Sequence, residues 1–260
     1  MKKIIPSLLT AAWVLVTGAA QALPAIPGIW QTDLLARDAN GNAVALSDAN
    51  ATYFYSQSMN VTWLGNFNAN GLMNWTMANS WAQNYSVNIG GVTVDNWRLP
   101  NIIDSGEVGC DYLETGGTDC GYNVQTQVNG AYSEWAYLFH TILGNKALVD
   151  TNGIEPQEGW GLNDTAYFRN IQASLYWSGT EYALGEPFAW SFSASSGYQD
   201  FDIKDISIYA AAVRDGDVLV QATPTSNNAV PEPGILALGS LALVGVGVTS
   251  RRRFTRPLVA

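Results

Sequence analysis

Four short runs decide the fold: Ser174-Leu175-Tyr176-Trp177, Phe188-Ala189-Trp190-Ser191-Phe192-Ser193, Gly197-Tyr198-Gln199-Asp200-Phe201-Asp202-Ile203 and Ile208-Tyr209-Ala210-Ala211-Ala212-Val213-Arg214. Each is a strand-length segment bounded by turn residues, and aromatic side chains suit a half-buried pleated surface. Upstream, Thr52 to Tyr55 and Asn60 to Leu64 read the same way, and Ile29 to Leu46 alternates loosely around the turn cluster Asp38-Ala39-Asn40-Gly41-Asn42. Two stretches break the pattern. Met77, Trp81 and Tyr85 are spaced four apart, which predicts a helix over Thr76 to Tyr85 capped by Asn74 or Thr76. Trp135, Leu138, Phe139 and Ile142 predict a second over Ser133 to Leu143, with Ser133 as its cap and Gly144-Asn145 as its end. Gly153 to Asn163 reads as loop. Strands, two helices, a long irregular middle and more strands make an α+β domain.

The two ends read differently from this body. Lys2 and Lys3, the apolar run Leu8 to Val16 and Ala20-Gln21-Ala22 have the charge, apolar core and small-x-small cleavage site of a secretory signal peptide, cut after Ala22. At the other end, Pro231-Glu232-Pro233 precedes an uncharged run ending at Ser250, followed by Arg251-Arg252-Arg253 and Arg256. As a helix, Gly234 to Ser250 would reach about 25 Å, short of a hydrocarbon core of about 30 Å, a difference that local thinning can absorb. The arginines would stay cytoplasmic and leave the body outside. The expected organisation is a signal peptide at 1–22, one domain at 23–218, a Pro/Ser/Asn-containing linker at 219–229 and a tail at 230–256 whose transmembrane helix covers 234–250.

The body holds about two hundred residues, enough for one substantial core or two small ones. Its cations are Arg37, Arg98, Lys146, Arg169, Lys204 and Arg214, whereas every acidic residue of the chain except Glu232 falls within it. So acidic a body excludes nucleic acid as a partner, which would want a basic face. It suits an exported protein that must stay soluble, and it can attract divalent cations. All tryptophans but Trp13 lie in this body. Cys110 and Cys120, close together in an oxidising compartment, predict one local disulfide. Zinc would need more ligands than one histidine and two cysteines supply.

The tail resembles the PEP-CTERM sorting signal, carried by Pro231, Glu232, Pro233, the apolar span and Arg251, Arg252 and Arg253. That resemblance implies recognition by an exosortase-type enzyme, removal near the motif and transfer to the surface, often in bacteria that make exopolysaccharide. A plain transmembrane anchor is the alternative. The body resembles the DUF1566 family, the domain also found at the C-terminus of the collagen-like adhesin Lcl. The segments that carry this are Val61-Thr62-Trp63-Leu64, Met73-Asn74-Trp75-Thr76-Met77-Ala78, Asn96-Trp97-Arg98-Leu99-Pro100, Tyr176-Trp177-Ser178-Gly179-Thr180-Glu181-Tyr182, Ala189-Trp190-Ser191-Phe192 and Ala212-Val213-Arg214-Asp215-Gly216-Asp217. It spans roughly Gln31 to Val218. It implies a C-type-lectin-like fold of short antiparallel strands, two helices and long loops, related in shape to formylglycine-generating enzymes. No single activity comes with it.

Elementary chemistry gives these motifs structural work. Trp97, Trp177 and Trp190 are expected core anchors, each able to bury about 150–250 Å². Arg98 and Arg214 are expected to pair with buried or half-buried carboxylates. Leu99 and Pro100 complete the first motif; the isomer of the Pro100 peptide bond stays open. No catalytic residue is assigned. His140, the lone histidine, sits among apolar neighbours and reads as structural, and a bridged Cys110–Cys120 pair leaves no thiol nucleophile. For metal, Glu155-Pro156-Gln157 and Trp160-Gly161-Leu162-Asn163-Asp164 are similar to the Glu-Pro-Asn and Trp-Asn-Asp elements of sugar-binding C-type lectins. The spacing is shorter and the second element carries an insertion. Glu155, Asn163 and Asp164 are therefore Ca²⁺ candidates, with the metal left open. Asp38, Asn40 and Asn42 resemble the start of a Ca²⁺ loop, but a hairpin turn explains them better.

The expectation is an exported, exosortase-sorted surface or extracellular-matrix protein with a non-catalytic, adhesion-type glycan- or protein-binding module. A structural spacer of an exopolysaccharide matrix, or an exported enzyme on a formylglycine-generating-enzyme-like scaffold, are the alternatives. Signal peptidase, the exosortase-type enzyme, and a glycan or surface protein are the expected partners. The C-terminal helix would hold the chain in the inner membrane before processing.

Overall fold

The computed structural model describes residues 28–106, 114, 119–125, 127–128 and 130–218. The expected signal peptide, linker and sorting tail, and Cys110, lie outside the described residues. Among the described residues no helix is long and apolar enough to cross a membrane.

One helical turn, α1 (Trp30–Asp33), leads into β1 (Leu34–Arg37), and the Asp38–Asn42 turn returns the chain as β2 (Ala43–Val44). The Asp38 carboxylate accepts the Asn40 and Asn42 amides at 2.8 and 2.9 Å, so the turn is self-contained, as the hairpin reading requires. β3 (Tyr53–Ser56) and β4 (Val61–Leu64) fall within a residue of their predicted places. The helix α2 (Trp75–Asn84) follows, and Asn74 rather than Thr76 caps it by accepting the Met77 amide. β5 (Val87–Ile89) and β6 (Val92–Val94) form a ribbon across Gly90-Gly91 that was not anticipated. Next come β7 (Gly121–Tyr122), β8 (Gln127–Val128), β9 (Ala131–Tyr132) and α3 (Glu134–Ala136). β10 (Leu175–Glu181), β11 (Phe188–Ser193), β12 (Tyr198–Ile203) and β13 (Val213–Asp215) complete the order.

The strands make a five-stranded sheet, β13-β4-β3-β1-β2, and a four-stranded one, β10-β11-β12-β7, with every strand pair antiparallel. The chain is thus mixed α/β, mostly antiparallel sheet with few helices. Residues 208–212, expected to be strand, instead form a seam between the sheets. Tyr209 O accepts from Trp177 N at 2.9 Å on β10, while Ala212 O accepts from Leu64 N at 2.9 Å on β4. Ala210, Ala211 and Ala212 are buried. A chain passing between two sheets leaves room only for small side chains, which is why strand propensity misreads this stretch.

The helices also depart from expectation. Met77 is 57% exposed; α2 buries Ala78 and Ala82, with Trp75, Trp81 and Tyr85 packed at the edges. The second helix is α-helical only over α3 and continues as a π-helix, Tyr137–Ile142, where Leu143 N reaches back five residues to Leu138 O. Ser133 does not cap it, because its hydroxyl is bound to Gln199 Oε1 at 2.5 Å. Trp135, Leu138, Phe139 and Ile142 nonetheless enter the core as expected.

Candidate functional site

The motif residues converge on the seam. Arg98 and Val213 exchange two backbone hydrogen bonds of 2.8 Å, so the Trp97–Pro100 segment adds to β13. The Leu99–Pro100 peptide is trans. Opposite, Gly179 N donates to Pro100 O at 2.9 Å, and a Cβ on Gly179 would lie 3.3 Å from Leu99 O. Glycine is therefore what lets the two motif strands approach. Trp97, Trp177 and Trp190 are all fully buried. Trp177 Nε1 donates to Met73 O, and Trp190 Nε1 to the Asp104 carboxylate at 2.8 Å.

The two motif arginines part company. Arg98 holds Glu134 in a fork of two 2.8 Å bonds and reaches Asp215 at 2.7 Å; Glu134 also accepts the Asn101 amide. Burial works against the Arg98 charge, but bonding to Glu134 and then Asp215 outweighs it and raises the pKa above the arginine norm. Arg214, also expected to pair with a carboxylate, has no ion pair among the described residues; it reaches only the carbonyl of Asp217, at 3.4 Å. The Asp217 carboxylate is taken by Arg37, a buried cation that was not singled out. Cys120 is disulfide-bonded and buried, and the chain has one other cysteine.

His140 packs against Phe139 and Phe192, and its Nδ1 lies 3.2 Å from Asn145 O, while Nε2 is enclosed without a partner. A Cβ on Gly197, a residue at φ +67°, would come within 2.9 Å of the ring. Burial pushes the imidazole down to about 4 from 6.5, despite hydrogen bonding to backbone. Because the folded value is the lower one, the unfolded chain takes up the proton first. Stability is then full above about pH 6.5 and falls by up to about 3 kcal/mol as pH drops towards 4. Urea midpoints taken across that range should fall with acid, and His140→Gln should remove this component.

Two of the three Ca²⁺ candidates are engaged in hydrogen bonds of their own. The Asp164 carboxylate accepts Trp30 Nε1 at 3.0 Å and Ala166 N at 2.7 Å. Asn163 turns its amide nitrogen onto the carbonyls of Gly159, Trp160 and Gly161. Glu155 is exposed, and its charge helps raise the pKa of Tyr122 after the effect of burial. Among the described residues no three His, Cys, Asp or Glu side chains are grouped to hold a metal ion.

A different feature is the open polar cleft of about 530 Å³ beside the β1–β2 hairpin. It is lined by two copies of one tripeptide, Asp38-Ala39-Asn40 and Asp48-Ala49-Asn50, together with Val44, Thr52 and Arg169. Both copies fold alike: Asp38 Oδ1 accepts from Asn40 N, and Asp48 Oδ1 from Asn50 N, each at 2.8 Å. Bonding to the side chain and amide of Asn42 holds the Asp38 carboxyl below its ordinary pKa, so it is charged near neutrality. The backbone of Arg169 is fixed at both ends, with its N bound to Gly65 O and its O to Phe67 N. Its guanidinium enters no ion pair among the described residues. Such a cleft offers carboxylate and amide acceptors, amide donors and a planar cation to one small polar ligand.

No family model, curated protein or solved structure matches the chain. The physical arrangement of the residues therefore bears the functional reading. Sequence reasoning had treated Asp38, Asn40 and Asn42 as a turn alone and had not singled out Asp48, Asn50 or Arg169 as site residues. The signal that could have found them is the repeated Asp-Ala-Asn, ten positions apart.

Proposed function

We propose that the chain is an exported surface or matrix protein whose body is a non-catalytic binding module of C-type-lectin-like shape, directed to glycan. The observation that carries this reading is a division of labour among its residues. The scarce cation Arg98, the buried tryptophans and the close-approach glycine are committed to the seam between the sheets. A set of polar side chains outside the seam, Asp38, Asn40, Asp48, Asn50, Thr52 and Arg169, lines an open cleft. His140 is enclosed and Cys120 is bridged, so neither serves as an accessible base or nucleophile.

The N-terminal Lys2-Lys3 and Ala20-Gln21-Ala22 pattern supports export, and Pro231-Glu232-Pro233 followed by Arg251-Arg252-Arg253 supports exosortase-type handover to the surface. A glycan array probed with the full-length chain, with and without Ca²⁺, tests the binding module. Retention on a restricted set of glycans is expected. An array blank under both conditions would refute glycan binding and favour the spacer of an exopolysaccharide matrix. Binding that disappears on chelation would bring Glu155, Asn163 and Asp164 back as ligands.

A further inference from the structure

We infer that the cleft between the two Asp-Ala-Asn turns is the sugar subsite, and that it takes an uncharged, hydroxyl-rich sugar residue without a metal ion. This rests on the glycan-binding reading above and specifies its site and ligand class.

The inference begins from charges that share a cleft without meeting. Asp38, Asp48 and Arg169 all line it, yet Arg169 pairs with no carboxylate among the described residues. Arg37 and Arg98 find carboxylates; Arg169 and Arg214 do not among the described residues, and of these two only Arg169 lines a cleft with carboxylates in it. The backbone of Arg169 and both turns are fixed by hydrogen bonds of their own. A polar guest in the cleft would meet acceptors and donors that are not ion-paired to one another.

The guest's charge follows from the donor set. The two carboxylates supply at most four of the six to eight oxygens Ca²⁺ takes, and among the described residues no three His, Cys, Asp or Glu side chains are grouped to hold a metal ion. An anion would meet one arginine against two carboxylates, in a chain of formal net charge −10. Sugar hydroxyls avoid both difficulties, because each can donate to an aspartate and accept from an arginine or an asparagine amide. The paired Asp and Asn side chains suit adjacent hydroxyls. Among the described residues no aromatic ring lines the cleft, so each site should bind weakly and rely on multivalent display.

The test uses full-length chain in mild detergent, with immobilised neutral glucan, polyuronate and chitosan as separate probes. Binding to the glucan is expected, unchanged by chelator and nearly unchanged between low salt and 0.5 M salt, where screening shortens to a few ångström. Asp48→Asn, which keeps the Oδ1 acceptor of the turn, and Arg169→Ala should each weaken it by about tenfold or more, the loss of one charge-assisted hydrogen bond. Neither change touches the core or the bond that folds the turn, so the thermal midpoints should match the parent chain. Glucan binding that both variants retain would overturn the site while leaving the glycan-binding reading intact. Salt-sensitive binding to polyuronate or chitosan alone would overturn the ligand class. Failure on all three probes, with a glycan array still positive, would refute both site and class; a blank array would remove the underlying reading as well.

Discussion

Trp135→Ala should destabilise the chain by about 3–5 kcal/mol, the range for deleting a large aromatic from a core. Trp135 sits where the aromatic network is densest. Its ring lies 5.6 Å from Trp63, 5.7 Å from Phe67, 4.7 Å from Tyr176 and 5.9 Å from Phe192, and Nε1 donates to Trp177 O. The indole thus joins the helical segment to both sheets: Trp63 is on β4, and Tyr176 and Phe192 are on β10 and β11. Truncation opens a cavity that neighbours locked into several ring contacts cannot collapse to fill, and it leaves the Trp177 carbonyl without its donor. Since domains of this kind are stable by about 5–15 kcal/mol, the loss is a large share of the whole. Urea denaturation should show a much lower midpoint, and Trp135→Phe should restore part of it.

The second large effect is electrostatic. Glu134→Ala should cost about 3 kcal/mol, because it strips the fork from Arg98 and the acceptor from Asn101 N together. The other partner of Arg98 provides the comparison. Asp215 has a side chain 78% exposed, against 8% for Glu134. Asp215→Ala should therefore cost less than about 1 kcal/mol, as for other solvent-screened pairs. Replacing Arg98 and Glu134 together by Met and Leu should cost less than Glu134→Ala alone, since Arg98 is then no longer a charge left without its partner, although Asn101 N still loses its acceptor. A double-mutant cycle on denaturant midpoints measures the coupling directly.

What was legible in the sequence followed physical locality. β11 and β12 stand within a residue of the runs that predicted them, because aromatic alternation and bounding turns are encoded side by side. Helix α2 was placed correctly and its face was not. Spacing from Met77 selects an exposed residue, while the buried face depends on Ala78 and Ala82 fitting against neighbours contributed by distant segments. The seam was misread for the same reason: Ala210 to Ala212 carry no local sign that two sheets close around them.

Ion pairing shows the limit most plainly. Sequence arguments could say that Arg98 needs a carboxylate, but the partner lies 36 positions away, and Arg37 finds Asp217 at a separation of 180. Arg214, judged by the same argument, reaches only a carbonyl, because Asp217 is already engaged by Arg37. The cleft is an intermediate case. Its tripeptide repeat was in plain view, but the convergence of both copies with Arg169 exists only once β1, β2 and β3 are paired.

The proposed export and handover to the surface are tested together by one measurement: the intact mass of the protein recovered from the cell surface or medium of its host. The mass should correspond to a chain that begins at Leu23 and ends near Pro231-Glu232-Pro233, without Arg251-Arg252-Arg253. A mass that retains Met1, or one that carries the intact arginine tail, would contradict the account.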